Sequence, residues 1–223
     1  MNKYIAEFIG TFFLVFTIGC TGIGAPTGVI APLAIGAALM VMVYAGGHIS
    51  GAHYNPAVTL AILIRGKLNV TDVVPYILAQ LAGAGLAAFT VKFLRAGIAV
   101  TAMAPKIGPA LLAEVLFTFA LVYVVLNTAT AEGTSGNSFY GLAIGMTVTA
   151  GAFTVGDISG GVFNPAVAVG ISILRLSHWS NIWIYLVANF GAAIIAAIVF
   201  NIINPPAQRT PIATDEPPYE TPR

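Results

Sequence analysis

The amino-acid sequence predicts an all-α membrane protein in which six transmembrane helices and two re-entrant half-helices form an inverted repeat. Three observations support this fold class. Of the 223 residues, 58% are hydrophobic and only 8% are charged, and the mean hydropathy is +0.91, whereas soluble domains carry charge on about a quarter of their residues. The apolar residues fall in six long runs and two short ones. The chain also contains two related copies of one unit.

The long apolar runs have the length that crosses a bilayer. A helix needs about 20 residues to span the hydrocarbon core, and six segments qualify: about 4–24, 29–47, 73–95, 109–130, 137–156 and 180–203. Two shorter segments, about 55–65 and 164–174, can reach about 15 Å as helices, which is half a membrane. An even number of crossings places both termini on one side, which we expect to be the cytoplasmic side of the cell membrane.

The internal repeat decides how these helices are arranged. A shift of 109 residues aligns segment 34–58 with segment 143–167, and eleven of these 25 positions are identical. A shift of 107 residues aligns AEFIGTFFLVF (6–16) with AEVLFTFALVY (113–123). Each copy holds three crossing helices, so the second copy enters the membrane from the opposite side. The repeat is therefore inverted, as in many transport proteins.

The repeat also sets the expected domain boundaries. We expect one channel domain over residues 1–203, with repeat one at about 1–96 and repeat two at about 108–203. The remaining segment, 204–223, is rich in proline and charge and poor in apolar residues. Such a composition cannot bury enough apolar surface to order the chain, which predicts a disordered tail.

Both half-helices begin with the same tripeptide, and this motif points to a pore. Non-helical backbone at membrane depth is tolerated only where it is buried in protein or lines a water-filled cavity. Asparagine suits the N-cap and proline suits the first helical position, and the two copies are Asn55-Pro56-Ala57 and Asn164-Pro165-Ala166. In an inverted repeat the two positive helix ends meet near the midplane and oppose cations. The asparagine NH2 groups are expected to be free to donate to a passing solute.

These features resemble the aquaporin (major intrinsic protein) family over residues 1–203. The resemblance is carried by the two SG-x-x-NPAV boxes, the AEFIGTFFLVF segment and the six predicted helices. It implies an hourglass fold, a homotetramer in the lipid bilayer, and a passive channel for water and small neutral solutes. It implies neither catalysis nor a cofactor.

The sequence departs from water-selective members of that family at the selectivity filter. Those relatives usually carry arginine directly after the second Asn-Pro-Ala box, where this chain has Val167. Spacing from the two boxes places the other filter positions at Ile35, Ala152 and Gly161. The resemblance therefore implies a wider, apolar filter that passes ammonia, urea or hydrogen peroxide as well as water, as in one subgroup of plant vacuolar-membrane aquaporins. Glycerol-facilitating relatives carry arginine and aspartate where Val167-Ala168 stand, which makes a dedicated glycerol channel the less favoured reading.

Buried ionisable residues leave one alternative open. Glu7 and Glu114 are repeat-related carboxylates in apolar helices, and intramembrane charges often mark proton pathways. A proton-coupled secondary transporter using these two residues is the alternative to a passive channel. We favour a structural role, in which Glu7, Glu114 and His48 anchor the re-entrant loops by hydrogen bonds.

Several other classes of function are disfavoured by composition. The net charge of +1 comes without a basic block, so a nucleic-acid partner is not expected. Cys20 is the only cysteine, and the spacing of histidines, cysteines and acidic residues matches no metal site. No nucleophile and base are placed for covalent catalysis, so we expect a protein that is not an enzyme.

Overall fold

In the computed structural model, which describes residues 1–24 and 30–205, the chain folds into eight α-helices. Six are long and apolar enough to cross a membrane, and two have only nine residues each. The helices are α1 Asn2–Gly22, α2 Ala31–Ser50, α3 Pro56–Ile64, α4 Val70–Leu94, α5 Ile107–Ala129, α6 Tyr140–Ser159, α7 Pro165–Ile173 and α8 Ile182–Ile203. The predicted six crossing helices and two half-helices are confirmed.

The ends of α2 and α6 differ from the prediction for one physical reason. The sequence predicted ends at about 47 and 156, the first glycine of each G-x-I-S-G segment, but the helices continue through Ser50 and Ser159. The next residues, Gly51 and Gly160, have φ of +85° and +97° and so form left-handed C-caps, a conformation that glycine adopts without strain. The predicted start of the second helix at 29 and most of the predicted tail, 206–223, lie outside the described residues.

Helix packing follows the repeat. In each repeat the first helix packs on the second and third, so α1 contacts α2 and α4, and α5 contacts α6 and α8. Each half-helix also packs against the other repeat, with α3 on α8 and α7 on α4. At the crossing of α2 and α6, repeat-related Gly36 and Gly145 let the backbones approach, and a methyl group on Gly36 would overlap Thr149. Small residues serve this purpose in membrane helices.

Candidate pore

The two half-helices start at the centre of the molecule with capped N-termini. The Oδ1 atom of Asn55 accepts the Ala57 amide at 2.8 Å, and the Oδ1 atom of Asn164 accepts the Ala166 amide at 2.9 Å. Proline follows each asparagine at the first helical position, where its missing N–H costs nothing. The two asparagines are thus N-caps whose side chains are fixed by their own helices.

Each asparagine also ties one repeat to the other. Asn55 Nδ2 donates to the carbonyl of Phe163 at 2.9 Å, and Asn164 Nδ2 donates to the carbonyl of Tyr54 at 2.9 Å. The expectation that both NH2 groups are wholly free was therefore wrong, because one N–H of each is used between the repeats. An amide carries two donors, so one N–H on each asparagine remains for a solute.

Two buried carboxylates hold the re-entrant loops. Glu7 accepts from the Ser50 hydroxyl at 2.7 Å, the His53 amide at 2.9 Å, the Tyr54 amide at 2.6 Å and Gln80 Nε2 at 2.8 Å. In repeat two, Glu114 accepts from the matching groups of Ser159, Val162, Phe163 and Asn189 at 2.7 to 3.0 Å. Both glutamates are completely buried. Four donors fill the acceptor positions of an ionised carboxylate.

This anchoring turns the loop carbonyls away from the carboxylates. In a trans peptide the carbonyl of one residue points opposite to the amide N–H of the next. Because the amides of residues 53 and 54 donate to Glu7, the carbonyls of Ala52 and His53 point the other way. The same holds for Gly161 and Val162 beside Glu114. All four of these residues line the central cavity, so their carbonyl oxygens provide it with acceptors.

The loops contain strained backbone that the anchors hold in place. Tyr54 and Phe163 have φ of +51° and +49°, the left-handed region that residues other than glycine avoid. Such a conformation costs on the order of 1–3 kcal/mol and persists where the surroundings over-determine it. Here the amide of each residue is fixed by a glutamate and its carbonyl by an asparagine of the other repeat.

A narrow cavity runs through this region and brings the predicted pore residues together. It is lined by both asparagines and by all four predicted filter residues, Ile35, Ala152, Gly161 and Val167. The space that can hold the centres of water molecules is only about 70 Å³, so the passage is tight. The prolines and alanines of the two boxes are buried but do not line the cavity. Within the described part of the chain, no Asp, Glu, Lys or Arg lines it.

The four filter positions lie at one end of the narrow passage. Gly161 lies against Ala152, since a methyl group on Gly161 would be 3.2 Å from the Ala152 Cα atom. Ile35 also lines two wider cavities beyond, which places it between the narrow passage and its mouth. Val167 is only 3% exposed. The side chains at this end are therefore aliphatic or absent.

Sequence reasoning missed the polar residues that support the anchors. Gln80 and Asn189 each donate to a glutamate and to a threonine, at 2.8 to 3.0 Å, and their enclosed amide oxygens have no partner among the described residues. Tyr76 and Tyr185 donate to the carbonyls of Ser50 and Ser159. Both pairs are related by the shift of 109 residues. A polar pair at matching positions of two apolar helices was the signal that could have identified them.

His48 does not share in the anchoring. Its side chain is exposed near the end of α2, and in the described ranges it has no hydrogen-bond partner. The physical reason is that α2 runs on to Ser50, so Ser50 rather than His48 faces the carboxylate. The repeat-related residue, Asp157, is likewise exposed near the end of α6.

Comparison with known proteins identifies the family. The family model for major intrinsic proteins matches residues 1–200. The chain belongs to the major intrinsic protein family. It is 40% identical over 214 residues to the glycerol uptake facilitator protein-like 6 of Lactiplantibacillus plantarum, covering 91% of this chain and 98% of that relative. It is 36% identical to aquaporin NIP1-1 of Zea mays over 91% of this chain and 75% of that relative.

A solved structure confirms the fold. The X-ray structure of the aquaglyceroporin from Plasmodium falciparum superposes with a TM-score of 0.74 at 23% identity, covering 89% of this chain and 93% of that chain. The predicted aquaporin-like fold is thus confirmed. Proteins of this family are passive membrane channels, so the present protein is a multi-pass channel for small solutes and not an enzyme. Neither the family nor the saturated carboxylates support the proton-coupled transporter.

Proposed function

We propose that the protein conducts water together with small neutral solutes such as ammonia, urea and hydrogen peroxide. The filter is formed by Ile35, Ala152, Gly161 and Val167, and Asn55 and Asn164 orient solutes at the centre. The observation that carries this proposal is the lining of the narrow passage, which joins all of these residues in one cavity without a charged side chain among the described residues. Repeat-related Val58 lines the same cavity, so no cation follows either Asn-Pro-Ala box.

The chemistry of the wall explains the preference for neutral solutes. A solute entering the passage leaves bulk water and finds aliphatic side chains, the carbonyls of the re-entrant loops and one N–H from each asparagine. A small molecule with donors and acceptors can exchange its water contacts for these groups. An ion cannot, because burying an unpaired charge in an apolar environment is far more costly than burying a hydrogen-bonded polar group. Cations are further opposed by the two helix N-termini.

Glycerol is the second candidate solute. The observation in its favour is whole-chain similarity to a relative described as glycerol uptake facilitator protein-like. The same apolar filter that admits urea leaves space for a polyol backbone, because neither an arginine nor an aromatic ring occupies the four filter positions. Glycerol is therefore included in the test below.

We further propose that the channel works as a homotetramer in the cell membrane with both termini in the cytoplasm. The monomer presents many large apolar side chains on its outer surface, among them Phe13, Leu78, Phe89, Phe93 and Leu112. Contiguous apolar surface of this kind requires lipid or another subunit to cover it. In this arrangement Glu7 and Glu114 keep the two loops in conducting geometry within each subunit.

The filter assignment is tested by stopped-flow light scattering on proteoliposomes. Native protein is expected to pass urea, ammonia and glycerol as well as water. Val167 is almost completely buried beside the cavity, so the longer, charged side chain of Val167→Arg must project into the passage. We expect this variant to lower urea and glycerol permeability about ten-fold or more relative to water, a barrier increase of about 1.4 kcal/mol or more.

A size control separates bulk from charge. Val167→Leu adds one methylene without a charge and is expected to reduce urea and glycerol flux less than Val167→Arg does. A native protein that conducts only water would show that the filter is assigned wrongly. Solute flux that occurs only with a proton gradient would overturn the channel proposal itself.

A further inference from the structure

The wall of the narrow passage is nearly the same in the two repeats, with one chemical exception. Repeat-related lining positions carry aliphatic side chains in both copies, as at Val58 and Val167 or Ile35 and Ile144. At one pair, however, repeat one has His53 and repeat two has Val162. The imidazole is 7% exposed. The half of the passage next to α3 therefore contains a polar ring that its counterpart lacks.

The contacts of Thr59 assign the tautomer of this ring. The Thr59 hydroxyl lies 3.0 Å from the Asn55 carbonyl, which can only accept, and receives Gln80 Nε2 at 3.0 Å. A hydroxyl has a single hydrogen, and here it is directed to Asn55. The contact of 3.1 Å between Thr59 Oγ1 and His53 Nδ1 is then a hydrogen bond only if the nitrogen donates. All three contacts are satisfied together when the proton is on Nδ1.

The other ring nitrogen is consequently a bare acceptor. His53 Nε2 has no hydrogen-bond partner in the part of the chain that the structure describes. It is also absent from the unpaired polar atoms that are enclosed by protein, so it is open to solvent. Because His53 lines the central cavity, this lone pair is accessible from the passage. The ring itself is fixed by Thr59 and by Tyr76, whose ring centre lies 5.0 Å away.

We propose that His53 Nε2 is a solute-binding acceptor that sets the preference of the pore for molecules with N–H or O–H donors. Asn55, two residues further on, offers the complementary N–H. The pair fits small neutral solutes that carry an oxygen acceptor beside a donor, which describes amides, ureas and polyols. The site rests on the proposed channel function and refines its solute class. Neither the filter residues nor the two central asparagines supply a side-chain acceptor to the passage, because both Oδ1 atoms serve as helix caps.

The permeability test uses two substitutions at one position. His53→Val copies the residue that repeat two has at this site, and His53→Phe keeps a ring but removes both nitrogens. We expect each to lower urea permeability relative to water about three-fold to ten-fold, the effect of one lost hydrogen bond on a barrier. His178→Val, at an exposed histidine that does not line the cavity, is expected to leave the ratio unchanged.

The outcomes distinguish this inference from the channel proposal. If native protein conducts urea and the ratio is unchanged in both variants, the acceptor role of His53 is wrong while the channel stands. If Val raises urea flux and Phe lowers it, pore width rather than hydrogen bonding controls selectivity, and the inference is again overturned. If native protein conducts no urea, ammonia or glycerol, the proposed solute range fails first.

The tautomer can be measured without changing the pore. Solid-state ¹⁵N NMR of histidine-labelled protein in lipid bilayers reports which ring nitrogen carries the proton. The signal of His53 is assigned by its loss in His53→Val, since the chain has only three histidines. We expect a protonated Nδ1 and a bare Nε2, with the Nε2 shift responding to added urea. A proton on Nε2 would refute the assignment directly.

Discussion

Replacing Glu114 by glutamine tests whether the carboxylate anchors the second re-entrant loop. The amide fits the same space but replaces one oxygen by an NH2 group. The cheapest orientation places that NH2 toward the Ser159 hydroxyl, which can rotate to accept, and leaves the Val162 amide facing a donor instead of an acceptor. The amide oxygen then still receives Phe163 and Asn189, as a neutral group rather than as an anion.

The magnitude follows from these contacts. A buried N–H left without a partner costs about 1–3 kcal/mol, and a hydrogen bond that loses its charge weakens by about 0.5–1.5 kcal/mol. With one amide unpaired and the remaining bonds weakened, we expect Glu114→Gln to lower the free energy of unfolding by about 3–6 kcal/mol. Solute flux falls as well, because the filter residue Gly161 lies on the released loop.

The assay is equilibrium unfolding in detergent, paired with stopped-flow permeability in proteoliposomes. Glu7→Gln is the repeat-related test and is expected to give a loss of the same size. Asp157→Asn makes the same chemical change at an exposed carboxyl group and is expected to change stability by no more than about 0.5 kcal/mol. Native stability in Glu114→Gln would refute the anchoring argument, because two buried loop amides could not then depend on an ionised acceptor.

Two further predictions concern backbone conformation. Gly36→Ala places a methyl group against Thr149 at the crossing of α2 and α6, and we expect a loss of about 1–3 kcal/mol by chemical denaturation; Gly85→Ala, at an open position, should have no such cost, and equal losses would contradict the close crossing. Arg175 has φ +63° where the repeat-related Gly66 has φ +75°, so Arg175→Gly should stabilise the protein by about 1 kcal/mol. Lower stability of this variant would show that the arginine side chain contributes more than the strain costs.

The helices were predictable because their signal is local. Length and apolarity identify a crossing helix without knowledge of its neighbours, and an Asn-Pro pair before a short apolar run identifies a capped half-helix. Errors occurred where several glycines stood close together. Gly47 and Gly51 were both able to end α2, and the choice fell on Gly51, the one whose left-handed φ can be followed by the inward turn.

The contacts between repeats could not be predicted in the same way. The hydrogen bond from Asn55 to Phe163 joins residues 108 apart in sequence, and nothing local to either residue shows that the other lies beside it. The repeat predicted that the two helix ends meet, but not that each asparagine spends one N–H on the other loop. The exposed position of His48 also depended on tertiary structure, since it follows from where α2 ends relative to Glu7.

Cross-linking of the loops explains how a pore without a filter arginine can still have a defined wall. In this chain Val167 offers the loop carbonyls no donor, so their positions must be set by other groups. The structure provides them from behind, through the amides bound to Glu114, and from the opposite repeat, through Asn55 on the Phe163 carbonyl. Because the peptides are held at both sides, the carbonyls of Gly161 and Val162 remain directed at the passage, and their direction does not require a side chain at position 167.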